Sequence, residues 1–327
     1  MGELTNQLYI IATAVLGVFG IVGVGIFCRR TGWLTPAADE TFFKLVIRLL
    51  FPAFILSKLL GNEQLLDPAA LLKPPVIGLL SIWLGFVAAM LVGRLAGRWL
   101  KLDTKPKLAA FVVCIGMYNY GFVPIPITLG LFGEGATLGT LLLMGVGVDV
   151  AMWSTGVIIL TGGLKPGWWK HLFTPPLLAI VLAVTLNLTG LYRPLMLYLP
   201  FVPRAMDMLG ASAIPIALLL TGATIHDNWK RADLAGGLPT ISAACLLRLG
   251  ILPATFLAAA LLLPLSLELK RVLVIEAAMP CAVFPIVFTR IFGGDVPTAV
   301  RVVLGTSIVS LITMPAWLML GLWLLET

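Results

Sequence analysis

The sequence predicts an all-α polytopic membrane protein of about ten transmembrane helices, and two observations predict this class. Of the 327 residues, 60% are hydrophobic and only 11% are charged, and the mean hydropathy is +1.05. A soluble chain of this size needs far more polar surface to cover its core. The second observation is the length of the apolar runs. Leu8 to Cys28 carries no charge over about the 20 residues that a membrane-spanning helix requires.

Closed barrels are the other structure that satisfies every backbone hydrogen bond in lipid, but their strands alternate over short stretches. The long uncharged runs therefore favour helices. Windows of about 19 residues place the predicted spans 1 to 10 at 8–28, 42–60, 76–96, 108–132, 137–160, 176–192, 205–224, 237–263, 271–292 and 298–322.

Lysine and arginine are distributed unevenly between the two sets of connections. The connections after the odd-numbered spans hold thirteen of them by our reading: Arg29, Arg30, Lys44, Arg94, Arg98, Lys101, Lys105, Lys107, Lys165, Lys170, Lys230, Arg231 and Arg290. The opposite side holds Lys58, Lys73, Arg193, Arg204, Lys270 and Arg271. Because basic residues prefer the cytoplasmic side, we expect a multi-pass protein of the cell (inner) membrane with both termini external.

The chain divides into two similar halves. Pro52 of span 2 and Pro215 of span 7 are 163 residues apart, and Phe132 and Phe292, at the ends of spans 4 and 9, are 160 apart. Two matches at nearly one offset indicate a five-plus-five repeat, and an odd number of spans per repeat inverts the second one. The predicted organisation is a first repeat over 1–161, a short cytoplasmic linker over 162–175 and an inverted second repeat over 176–327.

Spans 4 and 9 are predicted to be broken helices. Span 4 contains Asn119, Gly121, Pro124 and Pro126, and span 9 contains Pro280, Cys281 and Pro285. Proline removes a backbone donor and clashes with the preceding turn. One such helix indicates a kink that its neighbours satisfy, but two at symmetric positions favour a substrate site, because half-helix N-termini direct N–H groups at an anion. These seven residues are the predicted substrate-binding set.

The sequence resembles the auxin efflux carrier family, which includes plant auxin exporters and bacterial malate and malonate carriers. The resemblance covers nearly the whole chain, and its most specific parts are Asn119–Pro126, Ala278–Pro280, Phe284–Thr289, Leu209–Leu218 and Ser310–Pro315. It implies two inverted five-helix repeats whose spans 4 and 9 cross near the midplane. Spans 1, 2, 6 and 7 would form a scaffold, and the other six would form a moving transport unit.

The chain departs from the family pattern in span 9. Family members often carry a polar residue between the two prolines, where this chain has Cys281, Ala282, Val283 and Phe284. The departure leaves Asn119 as the stronger polar contact. No cluster of lysine or arginine is expected at the crossing, so half-helix dipoles are the expected source of positive potential.

Four ionisable residues fall inside predicted spans: Asp149, Arg248, Glu276 and Arg301. Such residues are costly in lipid and are functional candidates by default. Asp149 and Glu276 are the candidates for binding a coupled proton or sodium ion. The alternative is a structural ion pair with Arg301 or Arg248, and for Glu276 also solvation near the external surface.

The leading hypothesis is a secondary carrier of small carboxylates that alternates access to a midplane site, with no resident cofactor or metal. Its expected partners are the substrate, the lipid bilayer and a second copy of the chain, but not nucleic acid, since topology explains the net charge of +7. An anion channel or facilitator is the first alternative, although the spans offer few polar residues for a lining. An intramembrane enzyme is the second, and it lacks a catalytic pair or metal cluster in the sequence.

Overall fold

The computed structural model describes residues 2–62, 68–163, 167–229 and 233–326, and the regular structure in these residues is helical. Three of the basic residues used to predict orientation, Lys165, Lys230 and Arg231, lie outside the described residues. So does the middle of the predicted 162–175 linker.

The first repeat contains eight α-helices among the described residues. They are α1 (Gly2–Arg30), α2 (Pro36–Leu45), α3 (Phe51–Leu59), α4 (Pro68–Ala96), α5 (Lys105–Gly116), α6 (Pro124–Phe132), α7 (Ala136–Ala151) and α8 (Val157–Thr161). A short 3-10 helix, Trp168–Leu172, follows.

The second repeat contains nine. They are α9 (Pro175–Leu188), α10 (Tyr192–Tyr198), α11 (Phe201–Ala211), α12 (Ala213–Trp229), α13 (Leu238–Leu246), α14 (Leu252–Leu262), α15 (Leu267–Ala278), α16 (Phe284–Phe292) and α17 (Val296–Glu326).

Six helical stretches of the described residues are individually long and apolar enough to cross a membrane, and a seventh is the bent pair α9 and α10. The six are Leu8–Arg30, Leu71–Ala96, Ala136–Thr161, Phe201–Trp229, Leu238–Leu262 and Val296–Leu325. The remaining predicted spans are the charged α2–α3 segment and the two interrupted helices, α5–α6 and α15–α16. Each half of an interrupted helix is shorter than a full span, so a search by helix length does not find these two spans. The all-α polytopic fold is thereby confirmed.

Spans 2, 5 and 8 continue through π-helical turns. These turns are Val46–Leu50, Met152–Gly156 and Leu247–Ile251. Each joins two α-helices, and the backbone stays helical through the junction. A π-helical turn inserts an extra residue and changes the direction of the side chains around it, and such turns are frequent at functional sites. The third turn contains Arg248.

The helices pack as two groups. In one group α1 packs on α12, and α3 packs on α11 and α9. In the other, α4 packs on α5 and α7, and α17 packs on α5, α13 and α15. The backbones of α1 and α12 touch, since a Cβ at Gly222 would lie 2.0 Å from the carbonyl oxygen of Val22. The first group contains spans 1, 2, 6 and 7, which is the grouping that the resemblance implies.

Contacts between connections define the two ends of the molecule. At one end Lys101 Nζ donates to the Gly236 carbonyl over 2.8 Å, and the Asp295 N–H donates to the Pro106 carbonyl over 3.2 Å. These bonds join the connections that follow spans 3, 7 and 9. At the other end Lys58 Nζ lies 2.7 Å from carboxylate oxygens of both Glu134 and Asp207. Among the described residues, the connections after spans 3, 7 and 9 therefore meet at one end, and Lys58, Glu134 and Asp207 meet at the other.

Candidate functional site

The two interrupted helices meet at one short antiparallel backbone pairing. Tyr118 and Cys281 form the bridge, and two hydrogen bonds of 2.9 Å flank it. The N–H of Asn119 donates to the carbonyl of Pro280, and the N–H of Ala282 donates to the carbonyl of Met117. Each bond therefore has a counterpart exactly one repeat away, since 163 residues separate Met117 from Pro280 and Asn119 from Ala282. The antiparallel direction is the one that inverted repeats require.

The first break spans residues 117–123 and provides donors that the protein does not use. Asn119 Oδ1 accepts the Val123 N–H at 3.3 Å and so caps the start of α6. Within the described residues, the Asn119 side-chain nitrogen and the N–H groups of Gly121 and Phe122 make no hydrogen bond. A Cβ added at Gly121 would meet open space. The predicted polar contact and the predicted free N–H groups therefore lie side by side.

The second break, residues 279–283, is shorter and less polar. Cys281 is buried within the bridge, and the N–H groups of Val283 and Phe284 make no hydrogen bond within the described residues. Its side chains offer no counterpart to the Asn119 amide. The polar side chains of the crossing thus come mainly from the first repeat, as the departure in span 9 indicates.

The prolines occupy positions that refine the prediction of how these helices break. Pro124 is the first residue of α6, Pro126 lies in the same turn, and Pro285 is the second residue of α16. At the start of a helix the missing N–H costs no helical hydrogen bond. These three prolines therefore begin the second half-helices instead of interrupting a continuous one. Pro280 lies within the break and supplies a bridging carbonyl.

Arg248 lies against the crossing, which corrects the expectation that half-helix dipoles are the only positive source there. Its Nε donates to the Met279 carbonyl at 2.8 Å, and its Nη2 donates to the Glu276 carbonyl at 2.7 Å. These carbonyls close the C-terminus of α15. The guanidinium carbon lies 4.5 Å from the ring centroid of Tyr118, whose hydroxyl is 2.7 Å from Ser81 Oγ.

The two arginines considered as ion-pair partners of Asp149 and Glu276 make other contacts in the described residues. Arg301 Nη2 lies 3.0 Å from Asp233 Oδ2, near the end of the molecule where the odd-numbered connections meet. Arg248 and Glu276 make no ion pair with each other, and Glu276 is buried, not solvated at a surface. Ion coupling by Asp149 or Glu276 stays a prediction.

Asp149 is connected to the crossing by a tyrosine. The Tyr120 hydroxyl donates to Asp149 Oδ1 at 2.5 Å, so the carboxylate in the middle of span 5 bonds to the residue that follows Asn119. Gly145 lies beside the Tyr120 ring, and a Cβ there would make an ordinary van der Waals contact with it at 3.5 Å. Asp149 is thus placed beside the first break, whereas Glu276 lies one helical turn before the second.

Sequence reasoning missed three residues at the crossing: Tyr118, Tyr120 and the placement of Arg248. Two tyrosines on either side of Asn119 in an apolar span were an available signal, because a buried hydroxyl needs a partner. For Arg248 the signal was its charge in an apolar span, but the spacing from Glu276 did not show that it bonds to carbonyls of α15.

The comparisons with known proteins agree with this architecture. The model of the membrane transport protein family matches residues 10–165 and again residues 163–318. An uncharacterized transporter of Methanothermobacter thermautotrophicus is 27% identical over 308 residues, which cover 93% of this chain and 96% of the relative. An uncharacterized transporter of Methanocaldococcus jannaschii is 24% identical over 310 residues, with the same coverage of both chains.

The repeated helical fold and the match to the family model define an α-helical membrane transporter. The two family matches together span most of the chain, and the chain belongs to this membrane transport protein family. This confirms the resemblance to the auxin efflux carriers.

Proposed function

We propose that the protein is a secondary carrier of small organic anions, either auxin-like acids or mono- and dicarboxylates. The observation that carries the proposal is the crossing itself. Free N–H groups at the starts of α6 and α16 and the unused Asn119 amide nitrogen lie beside one backbone bridge. Helix N-termini with free N–H groups attract a carboxylate electrostatically.

Transport proceeds by alternating access in this proposal. The group formed by spans 1, 2, 6 and 7 is the scaffold, and the other group carries the crossing from one side to the other. The Phe51 ring of the scaffold lies 5.6 Å from the Phe122 ring of the first break, so the moving surface includes the break. Proton or sodium coupling is assigned to Asp149 or Glu276, and the protein lies in the inner membrane with external termini.

Counterflow in proteoliposomes tests the proposal and separates a carrier from a channel. Vesicles are loaded with unlabelled malonate or indole-3-acetate, and uptake of the labelled acid is measured. A carrier exchanges the external acid faster when the vesicle contains the internal acid. Equal initial rates with and without internal acid would favour the channel, and uptake of neutral solutes alone would overturn the anion class.

A further inference from the structure

Two buried polar atoms at the crossing have no partner among the described residues. They are Arg248 Nη1 and Glu276 Oε2, each with almost no solvent exposure. Arg248 as a whole is fully buried and Glu276 is 1% exposed. A buried donor or acceptor without a hydrogen bond is destabilising, and for a charged group the cost is larger. One unpartnered donor and one unpartnered acceptor beside the candidate site indicate that a bound ligand supplies their hydrogen-bond partners.

The rest of the guanidinium is held in place. Two of its nitrogens bond to the carbonyls of Met279 and Glu276, and its flat face lies on Tyr118 with Phe256 at 5.5 Å. Only Nη1 remains for another acceptor. An arginine fixed in this way has already lost its conformational freedom, so a ligand that binds Nη1 orders no further side chain.

We propose that Arg248 Nη1 binds the substrate carboxylate, and that Glu276 takes up one proton when the anion binds. This inference rests on the proposed function and adds to it the residue that selects an anion and the ion that is coupled. With Glu276 ionised and the site empty, Arg248 and Glu276 together carry no net charge, although they form no ion pair. An added carboxylate would leave a net negative charge in a buried site, which is strongly unfavourable.

A proton on Glu276 restores neutrality. The guanidinium and the proton carry one positive charge each, and the glutamate and the substrate carboxylate carry one negative charge each. The products are a guanidinium–carboxylate pair and a neutral glutamic acid. The protonated carboxyl group can then donate a hydrogen bond. Release of the anion on the other side returns the proton, so proton and anion move together.

Few other titratable groups face Glu276. From the first break come Tyr118 and Tyr120, and Tyr120 is bonded to Asp149 of α7. Cys281 follows α15, and Arg248 comes from the π-helical turn of span 8. The packed helices α6 and α14 carry no titratable residue, and the arginine of α17, Arg301, is paired with Asp233. Glu276, whose backbone carbonyl accepts from Arg248 Nη2, is therefore the carboxylate that we assign to proton uptake.

Ligand-dependent thermal stability tests the proposal. Purified protein is titrated with acetate, malonate and indole-3-acetate, and with the matched neutral amides acetamide, malonamide and indole-3-acetamide, between pH 6 and 8.5. The wild type should bind a carboxylate but not its amide. If one proton is bound with each anion, the apparent affinity falls by about tenfold per pH unit where Glu276 is ionised.

Two variants separate the roles of the two residues. Glu276→Gln should bind the carboxylate with an affinity that no longer depends on pH, and should take up no proton when a pH-indicator dye follows binding in weak buffer. Arg248→Gln should lose at least tenfold in affinity. Arg248→Met, which keeps an apolar side chain of similar length without the charge, reports on the same point if Arg248→Gln does not fold. Arg301→Gln is the matched control, since it removes an arginine from a neighbouring helix away from the crossing.

Each result has a consequence. Wild-type affinity in folded Arg248→Gln or Arg248→Met would overturn the anion role of Arg248. Unchanged pH dependence in Glu276→Gln would overturn proton uptake there, and both results leave the proposed carrier function standing if counterflow is seen. Binding of amides in preference to carboxylates would overturn the inference and the proposed function together.

Discussion

Asn119 has two separate contacts to make at the crossing, and they belong to different atoms of its amide. The oxygen caps α6 through the Val123 N–H, and the nitrogen makes no bond within the described residues. Removing the side chain therefore affects both the helix start and the donor available to a ligand. The carboxylate isostere separates the two effects, since aspartate keeps the capping oxygen and loses the donor.

Asn119→Ala should weaken carboxylate binding by about 1–3 kcal/mol, because a buried acceptor on the ligand loses its partner. Asn119→Asp should weaken binding at least as much through charge repulsion, yet unfold at the wild-type temperature, because the cap is kept. Binding is measured by ligand-dependent thermal shift. Wild-type affinity in both variants would move the site away from Asn119.

Asp149→Asn should flatten the dependence of uptake on pH or sodium while the protein stays folded, if this carboxylate binds the coupled ion. Tyr120→Phe removes the 2.5 Å hydrogen bond to Asp149 but leaves the carboxylate, so it should shift that dependence without abolishing it. The exposed carboxylate of Asp103, bonded to Lys107, supplies the control variant Asp103→Asn. An unchanged profile in Asp149→Asn would remove it as a coupling site.

The residue types at the crossing were predictable from sequence, but their partners were not. Asn119 and the prolines stand out because each is unfavourable in a continuous apolar helix. The Tyr120–Asp149 bond joins residues 29 positions apart, and Arg248 bonds to carbonyls 28 and 31 positions away. Such partners depend on helix packing and on a π-helical turn, and neither leaves a periodic pattern in the sequence.

At the scale of the element, the interrupted helices depend on both the bridge and the prolines. The residue before a proline is disfavoured in the helical region, and Met279, which precedes Pro280, is extended and ends α15. Pro124 and Pro285 lack the N–H that a continuous helix would use at their positions. The bridge at Tyr118 and Cys281 gives the extended segments their hydrogen bonds. Sequence could predict the breaks from the prolines, but not the pairing between them.

Pro124→Ala combined with Pro285→Ala should cost transport more than stability. Alanine restores N–H groups at the starts of α6 and α16 and widens the conformations open to Val123 and Phe284. The bridge still holds the fold, while the geometry of the free N–H groups becomes less fixed. Counterflow and thermal unfolding are measured on the same preparation. Normal counterflow in the double variant would show that the prolines do not define the site.

At the scale of the whole molecule, the predicted orientation can be tested by labelling. Gly167 has φ of +79°, which favours glycine, so a cysteine is better introduced at the neighbouring exposed Lys170. With the accessible native cysteines replaced, an impermeant maleimide should not label Lys170→Cys in intact cells. It should label Tyr198→Cys, whose side chain is 75% exposed at the opposite end. The reverse pattern would invert the topology.

Lys58 links the two helix groups at one end. It bonds to Asp207 within its own group and to Glu134, which follows α6 in the other group. Glu134→Gln should favour separation of the groups at this end, whereas Asp207→Asn should not. Exposed pairs contribute about 0–1 kcal/mol, so a population shift of about fivefold or less is expected. Spin-label distances between Met208 and Gly135 measure it, and equal distances in both variants would contradict this role.

The backbone bridge at the crossing also constrains how the two repeats can evolve. Each repeat supplies one short extended segment that is complete only when the other repeat supplies its partner, and the two hydrogen bonds join residues 163 positions apart in both directions. An insertion or deletion in one break would shift its register against the other and lose both bonds. The lengths of the two breaks can therefore change only together. The side chains of the two breaks can diverge, as Asn119 and Ala282 have, but the register of the backbone pairing has to be kept.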